Sequence, residues 1–68
     1  MATRTSYPQW PPEVGRRYRL RLYLGGERIA EVFKIDSHRG LVWARDPDGH
    51  DFMWTLAMWR AGCIERIG

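Results

Sequence analysis

Apolar and polar side chains alternate along the segment RRYRLRLYL, residues 16–24. The side chains divide into Tyr18, Leu20, Leu22 and Leu24 on one side, and Arg17, Arg19, Arg21 and Tyr23 on the other. A period of two residues is typical of a β-strand with one buried face. The pattern therefore predicts a first strand whose leucine side faces a core.

Three further strands are predicted, separated by residues that favour turns. Gly25-Gly26 tolerates positive φ and predicts a turn into RIAEVFKI, residues 28–35. The segment DSHRG then breaks the chain before LVWARD, residues 41–46, and DPDG leads into HDFMW, residues 50–54. The sequence thus predicts an antiparallel meander of four strands.

The register of each hairpin follows from the requirement that core residues oppose core residues, since a slip of one residue reverses every side chain. We choose the loops 25–27, 36–40 and 47–49, the last of which suits a type I turn followed by a left-handed glycine. The predicted pairs are Leu22–Ala30, Leu20–Val32 and Arg21–Glu31, then Val32–Ala44, Phe33–Trp43 and Glu31–Arg45, then Ala44–Phe52, Val42–Trp54, Trp43–Met53 and Arg45–Asp51.

These pairs give one sheet with two different faces. The core face is predicted to carry Tyr18, Leu20, Leu22, Ala30, Val32, Val42, Ala44, Phe52 and Trp54. The opposite face is predicted to carry a row of alternating charge, Arg21, Glu31, Arg45 and Asp51, a second row of Arg19, Phe33, Trp43 and Met53, and beyond it Ile35, Leu41 and Thr55. Trp54 is therefore expected inside the core and Trp43 outside it.

After the fourth strand, TLAMWRAG predicts one or two helical turns, with Thr55 as N-cap, Leu56 and Trp59 on one side, and Gly62 at the end. The final CIERI is predicted to return as a fifth strand. This order of elements over residues 15–67 resembles the SH3-like small β-barrels, and the resemblance implies an all-β, five-stranded barrel with one short helical turn before the last strand. An OB-like barrel is the competing arrangement. The resemblance implies no particular functional residue.

The N-terminal segment differs from the rest in composition. Residues 1–13 contain three of the four prolines and are predicted to form a Pro-rich tail in front of a single small domain, residues 14–68. Tyr7 and Trp10 are expected to pack back on that domain or to dock on another protein.

Length and charge narrow the function classes. A chain of 68 residues forms one small domain of marginal stability. Cys63 is the only cysteine, so no intrachain disulfide is possible, and no apolar run is long enough for a membrane span or a signal peptide. We expect a cytoplasmic protein. The net charge of +3 is a weak indication of an anionic partner, because eight acidic residues are spread among the basic ones.

The sequence gives little support for catalysis or for a bound cofactor. DPDGHD, residues 46–51, lacks the ligand spacing and the distal glutamate of a calcium loop, and turn formation explains it. His38, next to Ser37, is expected to be a solvated loop histidine and not a catalytic base, and Cys63 has no histidine near it in the sequence. We therefore predict a binding protein that is not an enzyme, with no metal, no cofactor and no small-molecule substrate.

The predicted outer side chains suggest two binding functions. The first is contact with a partner protein or a second copy, as in the small adaptors or inhibitors of phages and plasmids, through Trp43, Phe33, Met53, Arg19, Arg21, Arg45, Leu41 and Ile35. The alternative is single-stranded nucleic acid, with bases stacked on Trp43 and Phe33 and phosphates near Arg17, Arg19, Arg21 and Arg39. Glu31 and Asp51 beside Trp43 favour protein. A third possibility is that the tail or a strand bend covers this patch.

Overall fold

A computed structural model describes residues 10–22 and 24–68 of the chain. The elements are β1 (Arg17–Arg21), β2 (Glu27–Asp36), β3 (Leu41–Arg45), β4 (Asp51–Thr55), α1 (Leu56–Gly62) and β5 (Cys63–Arg66). The strands form one antiparallel sheet in the order β4-β3-β2-β1-β5. The prediction of an all-β fold with one short helix before the last strand is confirmed. Because β4 and β5 lie at the two edges of the described sheet, SH3-like closure stays a prediction.

The hairpin of β3 and β4 has the predicted register along its whole length. The pairs are Val42–Trp54, Trp43–Met53, Ala44–Phe52 and Arg45–Asp51. Its turn is closed by two backbone hydrogen bonds, from the Asp46 N–H to the His50 carbonyl and from the Gly49 N–H to the Asp46 carbonyl, both 3.0 Å long. Gly49 has a φ of 87°, so the left-handed glycine lies where the sequence predicts it.

The register predicted for the hairpin of β1 and β2 is wrong. Ala30 pairs with Tyr18 and not with Leu22, a displacement of four residues along β1. The turn here has the bond pattern of the other hairpin: the Leu22 N–H donates to the Gly26 carbonyl and the Gly25 N–H donates to the Leu22 carbonyl, each at 3.0 Å. Gly25 therefore comes late in the turn rather than first. Leu24, predicted on the core side, is 93% exposed.

The strands β2 and β3 begin in the predicted register and then depart from it. Glu31–Arg45 and Val32–Ala44 are confirmed, but the next pairs are Lys34–Trp43 and Ile35–Val42. Phe33 is the extra residue of a β-bulge, so the predicted pair Phe33–Trp43 is wrong. Beyond the bulge every side chain of β2 is reversed relative to the prediction. Ile35 consequently packs against the core instead of lying on the outer side.

The core lies on one side of the sheet, beneath α1. The buried hydrophobic residues are Tyr18, Leu20, Ala30, Val32, Val42, Ala44 and Trp59, all at most 1% exposed. Phe52 and Trp54 are half-buried and pack against this cluster, whereas Leu22 is half-buried and does not belong to it. Strand residues predicted for the core therefore form most of it.

The helix supplies the largest core side chain, Trp59. Its ring meets Tyr18 edge-on at a centroid distance of 5.4 Å and Trp54 at 5.9 Å. α1 begins after Thr55, whose Oγ1 accepts a hydrogen bond from the Met58 N–H at 3.0 Å, and it ends at Gly62, as predicted. Full burial of a large apolar side chain contributes about 1.5–3 kcal/mol, so α1 is part of the core and not an appendage. The buried Nε1–H of Trp59 has no hydrogen-bond partner within the described part of the chain. No helix in residues 10–22 and 24–68 is long and apolar enough to cross a membrane.

The N-terminal segment contacts the helix and β1. The Arg60 guanidinium lies 5.4 Å from the centre of the Trp10 ring, and the Glu13 N–H donates to the Tyr18 hydroxyl at 2.9 Å. The aromatic contact of Trp10 is thus with α1, and not with Trp43 as the tail-cover alternative requires. Tyr7 lies outside the described residues.

Candidate functional site

The side of the sheet opposite the core cluster carries partly exposed apolar side chains. We call it the outer face and define it by Ile29, Phe33, Lys34, Trp43, Arg45, Asp51 and Met53. Ile29, Phe33 and Met53 are 40%, 38% and 50% exposed. Trp43 is half-buried, and because its neighbours Val42 and Ala44 are fully buried, strand geometry directs it away from the core. Trp43 and Trp54 therefore lie on opposite sides of the sheet.

The bulge at Phe33 shapes this face. Lys34 pairs with Trp43, and Phe33 is the extra residue between this pair and the pair Val32–Ala44. The Lys34 ammonium lies 4.6 Å from the centre of the Trp43 ring, and the Arg45 guanidinium lies 5.1 Å from that of Phe33. Each of the two rings is thus covered on one side by a cation.

Arg45 also forms the main ion pair of the face. Its Nε donates to Asp51 Oδ1 at 2.6 Å and its Nη2 to Asp51 Oδ2 at 3.2 Å. This two-bond contact lowers the pKa of the Asp51 carboxyl and raises the pKa of Arg45, because each group's charged form is stabilised by the other. The predicted pair Arg45–Asp51 is therefore confirmed, and Arg45 lies between this acid and the Phe33 ring.

Arg19 and Arg21 lie elsewhere than predicted because of the shift in β1. Arg19 pairs with Ile29 and Arg21 with Glu27, so neither is beside Phe33 or Glu31. Arg19 Nη2 lies 3.1 Å from Glu65 Oε1, and its Nε lies 3.8 Å from Glu27 Oε1. Arg19 therefore lies between β2 and β5, whereas Arg21 lies at the end of β1 and lines a recess with Trp54 and Met58.

Arg17 takes the place predicted for Arg21, opposite Glu31. It lines a depression of about 270 Å³ that also contains Ile29, Phe33 and Arg45. The predicted protein-contact residues include neither Ile29, Arg17 nor Lys34, although the nucleic-acid alternative places Arg17 near phosphates. The position of Arg17 opposite Glu31 depends on the turn of β1 and β2, and the outward position of Lys34 depends on the bulge. Apolar side chains and charges of both signs line the depression.

The two remaining predicted site residues are not part of the exposed patch. Ile35 faces the core beside Val42. Leu41 is half-buried and pairs with Asp36 on one side and Thr55 on the other. Of the eight side chains predicted for the site, Trp43, Phe33, Met53 and Arg45 are brought together.

The turn between β3 and β4 brings three possible metal ligands together. Asp46, Asp48 and His50 have ligand atoms within 4.8 Å of one another. Asp46 is buried, and its Oδ1 accepts hydrogen bonds from the N–H groups of His50 at 2.9 Å and Asp48 at 3.0 Å, while Arg28 donates to Oδ2 at 3.1 Å. The His50 N–H is the main cause of the lowered pKa of Asp46. The carboxylate thus holds the turn, which agrees with the interpretation of DPDG as turn chemistry.

Cys63 is half-buried next to the core, and burial raises the pKa of its thiol. A thiol of this kind is a poor nucleophile because little of it is ionised near neutral pH.

Comparison of the chain with protein-family models, with curated proteins and with solved structures found no match. The arguments about function therefore come from the outer face itself.

Proposed function

We propose that this protein is a small binding module without catalytic activity, and that its outer face contacts another protein. The observation that carries the proposal is an exposed apolar centre, Ile29, Phe33 and Met53, surrounded by charges of both signs. Protein interfaces combine such a centre with a polar rim, and aromatic, Met and Arg side chains are enriched in them. The depression beside Phe33 is of a size to accept one large side chain of a partner.

The pairing of charges favours a protein over a nucleic acid. Arg45 is bonded to Asp51, Arg19 lies beside Glu65, and Arg17 is opposite Glu31. A phosphate approaching any of these arginines would have to displace or lie beside a carboxylate, which opposes the release of counterions that drives nucleic-acid binding. The same alternation of sign suits a protein surface, on which acids and bases alternate as well.

The aromatic rings give a second reason. Base stacking needs an accessible ring face, but Lys34 lies over Trp43 and Arg45 lies over Phe33. A stacked base would have to replace these cations or use the other side of each ring. An apolar side chain of a protein needs only the edges of the rings and the neighbouring methyl groups. The outer face is therefore better suited to protein side chains.

A capture experiment tests the proposal. The tagged wild-type protein and two variants, Phe33→Ala and His38→Ala, are incubated with lysate of the organism that encodes the chain. His38 is exposed in the loop between β2 and β3, so its replacement is the matched control. We expect one protein to be retained by the wild type and by His38→Ala and lost with Phe33→Ala, because only the latter removes a side chain of the outer face.

Titration of the tryptophan fluorescence with a single-stranded oligonucleotide at low salt tests the other function. Binding that weakens steeply with added salt and is lost in Phe33→Ala would overturn the proposal in favour of nucleic acid. Equal capture of the same protein by all three variants would also overturn it, since the contact would then lie outside the outer face.

A further inference from the structure

Among residues 10–22 and 24–68, the strand β4 has a neighbouring strand on one side only. Two hydrogen bonds show which of its backbone groups face β3. The Leu56 N–H donates to the Gly40 carbonyl at 2.8 Å, and the Asp46 N–H donates to the His50 carbonyl at 3.0 Å. Both bonds join residues that are directly opposite in the register of β3 and β4. Hydrogen-bonded pairs alternate along an antiparallel ladder, so the even-numbered residues of β4 bond to β3.

The odd-numbered residues of β4 consequently turn their N–H and C=O groups away from β3. These residues are Asp51, Met53 and Thr55. Such a row of outward groups is a template for pairing with another strand. The pairing of β4 with β3 is regular over all five residues, and Asp51, Met53 and Thr55 are all exposed.

The two edges of the sheet are protected to different degrees. β5 has four residues, carries Glu65 and Arg66, and meets β1 through an irregularity between Arg19 and Leu20. Charges, shortness and bulges are the features that discourage edge pairing. β4 has no proline or lysine, and its one charged residue, Asp51, is already paired with Arg45. Of the two edges, β4 is the one suited to accept a strand.

The sequence of β4 is complementary to itself in the antiparallel direction. When Met53 opposes Met53 of a second copy, Asp51 opposes Thr55, and every outward residue of the strand finds a partner. Centring the pairing on Asp51 instead would oppose two carboxylates, and centring it on Thr55 would bring Met53 against the start of α1. Only the register centred on Met53 uses the whole strand without opposing like charges.

The inner side of this register is also complementary. Phe52 of one copy opposes Trp54 of the other, and both are half-buried beside the core of their own chain. Trp54 lines two recesses, of about 360 Å³ with Met58 and Ala61 and of about 220 Å³ with Phe52. Aromatic pairs across antiparallel strands are among the favourable ones, and this register places Phe52 and Trp54 of the two copies opposite each other.

We infer that β4 pairs with β4 of a second copy around Met53, giving a two-fold symmetric dimer with one continuous sheet. The dimer carries two outer faces side by side. Two-fold symmetric dimers of identical chains are the commonest soluble oligomers. The inference stands on the edge of the sheet and does not require the outer face to bind anything. A 68-residue domain gains stability from such pairing, because only the folded chain offers the edge.

Amide hydrogen exchange resolved by residue gives the decisive measurement. The amides of Phe52 and Trp54 bond to β3 in monomer and dimer alike, so their exchange is expected to be slow at every protein concentration. The amides of Met53 and Thr55 are expected to become protected as the concentration rises from micromolar to millimolar. Sedimentation over the same range should show the change from monomer to dimer.

Three variants separate edge pairing from other association. Met53→Pro removes the N–H at the two-fold axis, and Met53→Lys keeps it but opposes two ammonium groups there. We expect each to raise the dimer dissociation constant at least about tenfold. Ile29→Lys, a matched change on the outer face of β2, should leave the dimer intact. Circular dichroism verifies that each variant is folded. If Met53→Pro does not fold, Met53→Lys alone tests the edge pairing.

The outcomes that would overturn the inference are distinct from those that bear on the proposed function. A wild-type protein that stays monomeric at millimolar concentration would overturn the edge pairing and leave partner capture by the outer face untouched. A dimer lost in Ile29→Lys but kept in Met53→Lys would show face-to-face association instead. A dimer without protection of the Met53 amide would equally exclude the proposed strand pair.

Discussion

Deletion of Phe33 is the sharpest test of how this sheet is built. In a regular strand the loss of one residue reverses the side chains on one side of the deletion. Phe33, however, is the extra residue of the bulge, and Val32 and Lys34 already pair with successive residues of β3, Ala44 and Trp43. The deletion should therefore leave both halves of β2 in their present register and remove only the bulge.

The expected cost is that of the lost side chain. Phe33 is 38% exposed, so somewhat under two-thirds of it is out of water. Full burial of a phenylalanine side chain contributes about 1.5–3 kcal/mol, which gives about 1–2 kcal/mol for Phe33. Deletion of Lys34 should cost less, about 0.5–1 kcal/mol for its contact with Trp43, because it removes the bulge and keeps the ring.

Deletion of Ile29 is the matched control, since Ile29 lies on the same strand and face and is 40% exposed. No bulge lies beside it to absorb the change. If the residues of β2 after the deletion shift by one position, the Glu31 carboxylate turns into the core. If the residues before it shift instead, Glu27 takes the place of Arg28 and comes close to Asp46. Burial of an unpaired carboxylate costs on the order of several kcal/mol, comparable with the whole stability of a domain of this size.

Urea unfolding followed by tryptophan fluorescence gives the three free energies of unfolding. Cross-strand nuclear Overhauser contacts between Ile35 and Val42 report whether the register survives. We expect folded proteins with this contact for the deletions of Phe33 and Lys34, and an unfolded or rearranged chain for that of Ile29. If deletion of Phe33 unfolds the protein as deletion of Ile29 does, the bulge is not where the pairing indicates and the reasoning fails.

Three other changes should have measurable effects. Because its hydrogen bonds, chiefly from the His50 N–H, lower the pKa of Asp46 in the folded state, its contribution to stability should be full above the ordinary value of 3.8 and be lost as the pH falls through the folded-state pKa. Asp46→Asn should therefore reduce the pH dependence of the free energy of unfolding, measured with urea between pH 2 and 6. An unchanged pH dependence would contradict this. A Cβ on Gly62 would lie 2.9 Å from Trp54 Cζ3, so Gly62→Ala should destabilise by about 1–3 kcal/mol in thermal unfolding, although alanine favours helix. Thr55→Ala should cost about 1 kcal/mol and Thr55→Ser much less; equal losses would argue against the N-cap.

The identity of the core could be predicted from the sequence because face assignment needs only the parity of each strand. The register predicted for β1 was four residues away from the observed one, yet Tyr18 and Leu20 are buried as predicted, since an even displacement preserves the face. The same displacement of four residues makes every predicted pair between β1 and β2 wrong. The prediction could therefore find the core but not which arginine stands beside Glu31.

The turn between β1 and β2 could have been predicted correctly from the sequence. The same rule that set Gly49 as the last residue of its three-residue loop would have set Gly25 in the corresponding position, giving the observed bond between Leu22 and Gly26. The predicted loop begins instead at Gly25, because Leu24 continues the alternating pattern. Leu24 shows the limit of periodicity: an apolar residue in phase with a strand is 93% exposed when the chain has already turned.

The bulge also has a signal in the sequence, and it is electrostatic. In a regular β2, Lys34 would lie on the same side as Ala30 and Val32 and would face Val42 in the core. Burial of an ammonium without a partner costs several kcal/mol, far more than one interrupted pair of ladder bonds. Inserting the extra residue at Phe33 brings Lys34 out over Trp43 and turns Ile35 inward. The core thus gains an isoleucine in place of a lysine, and the outer face gains a phenylalanine and a cation at one point. The bulge therefore places Phe33 and Lys34 on the outer face and also keeps a lysine out of the core. Because Val32 and Lys34 pair with successive residues of β3, deletion of Phe33 should remove the outer phenylalanine and leave the core intact.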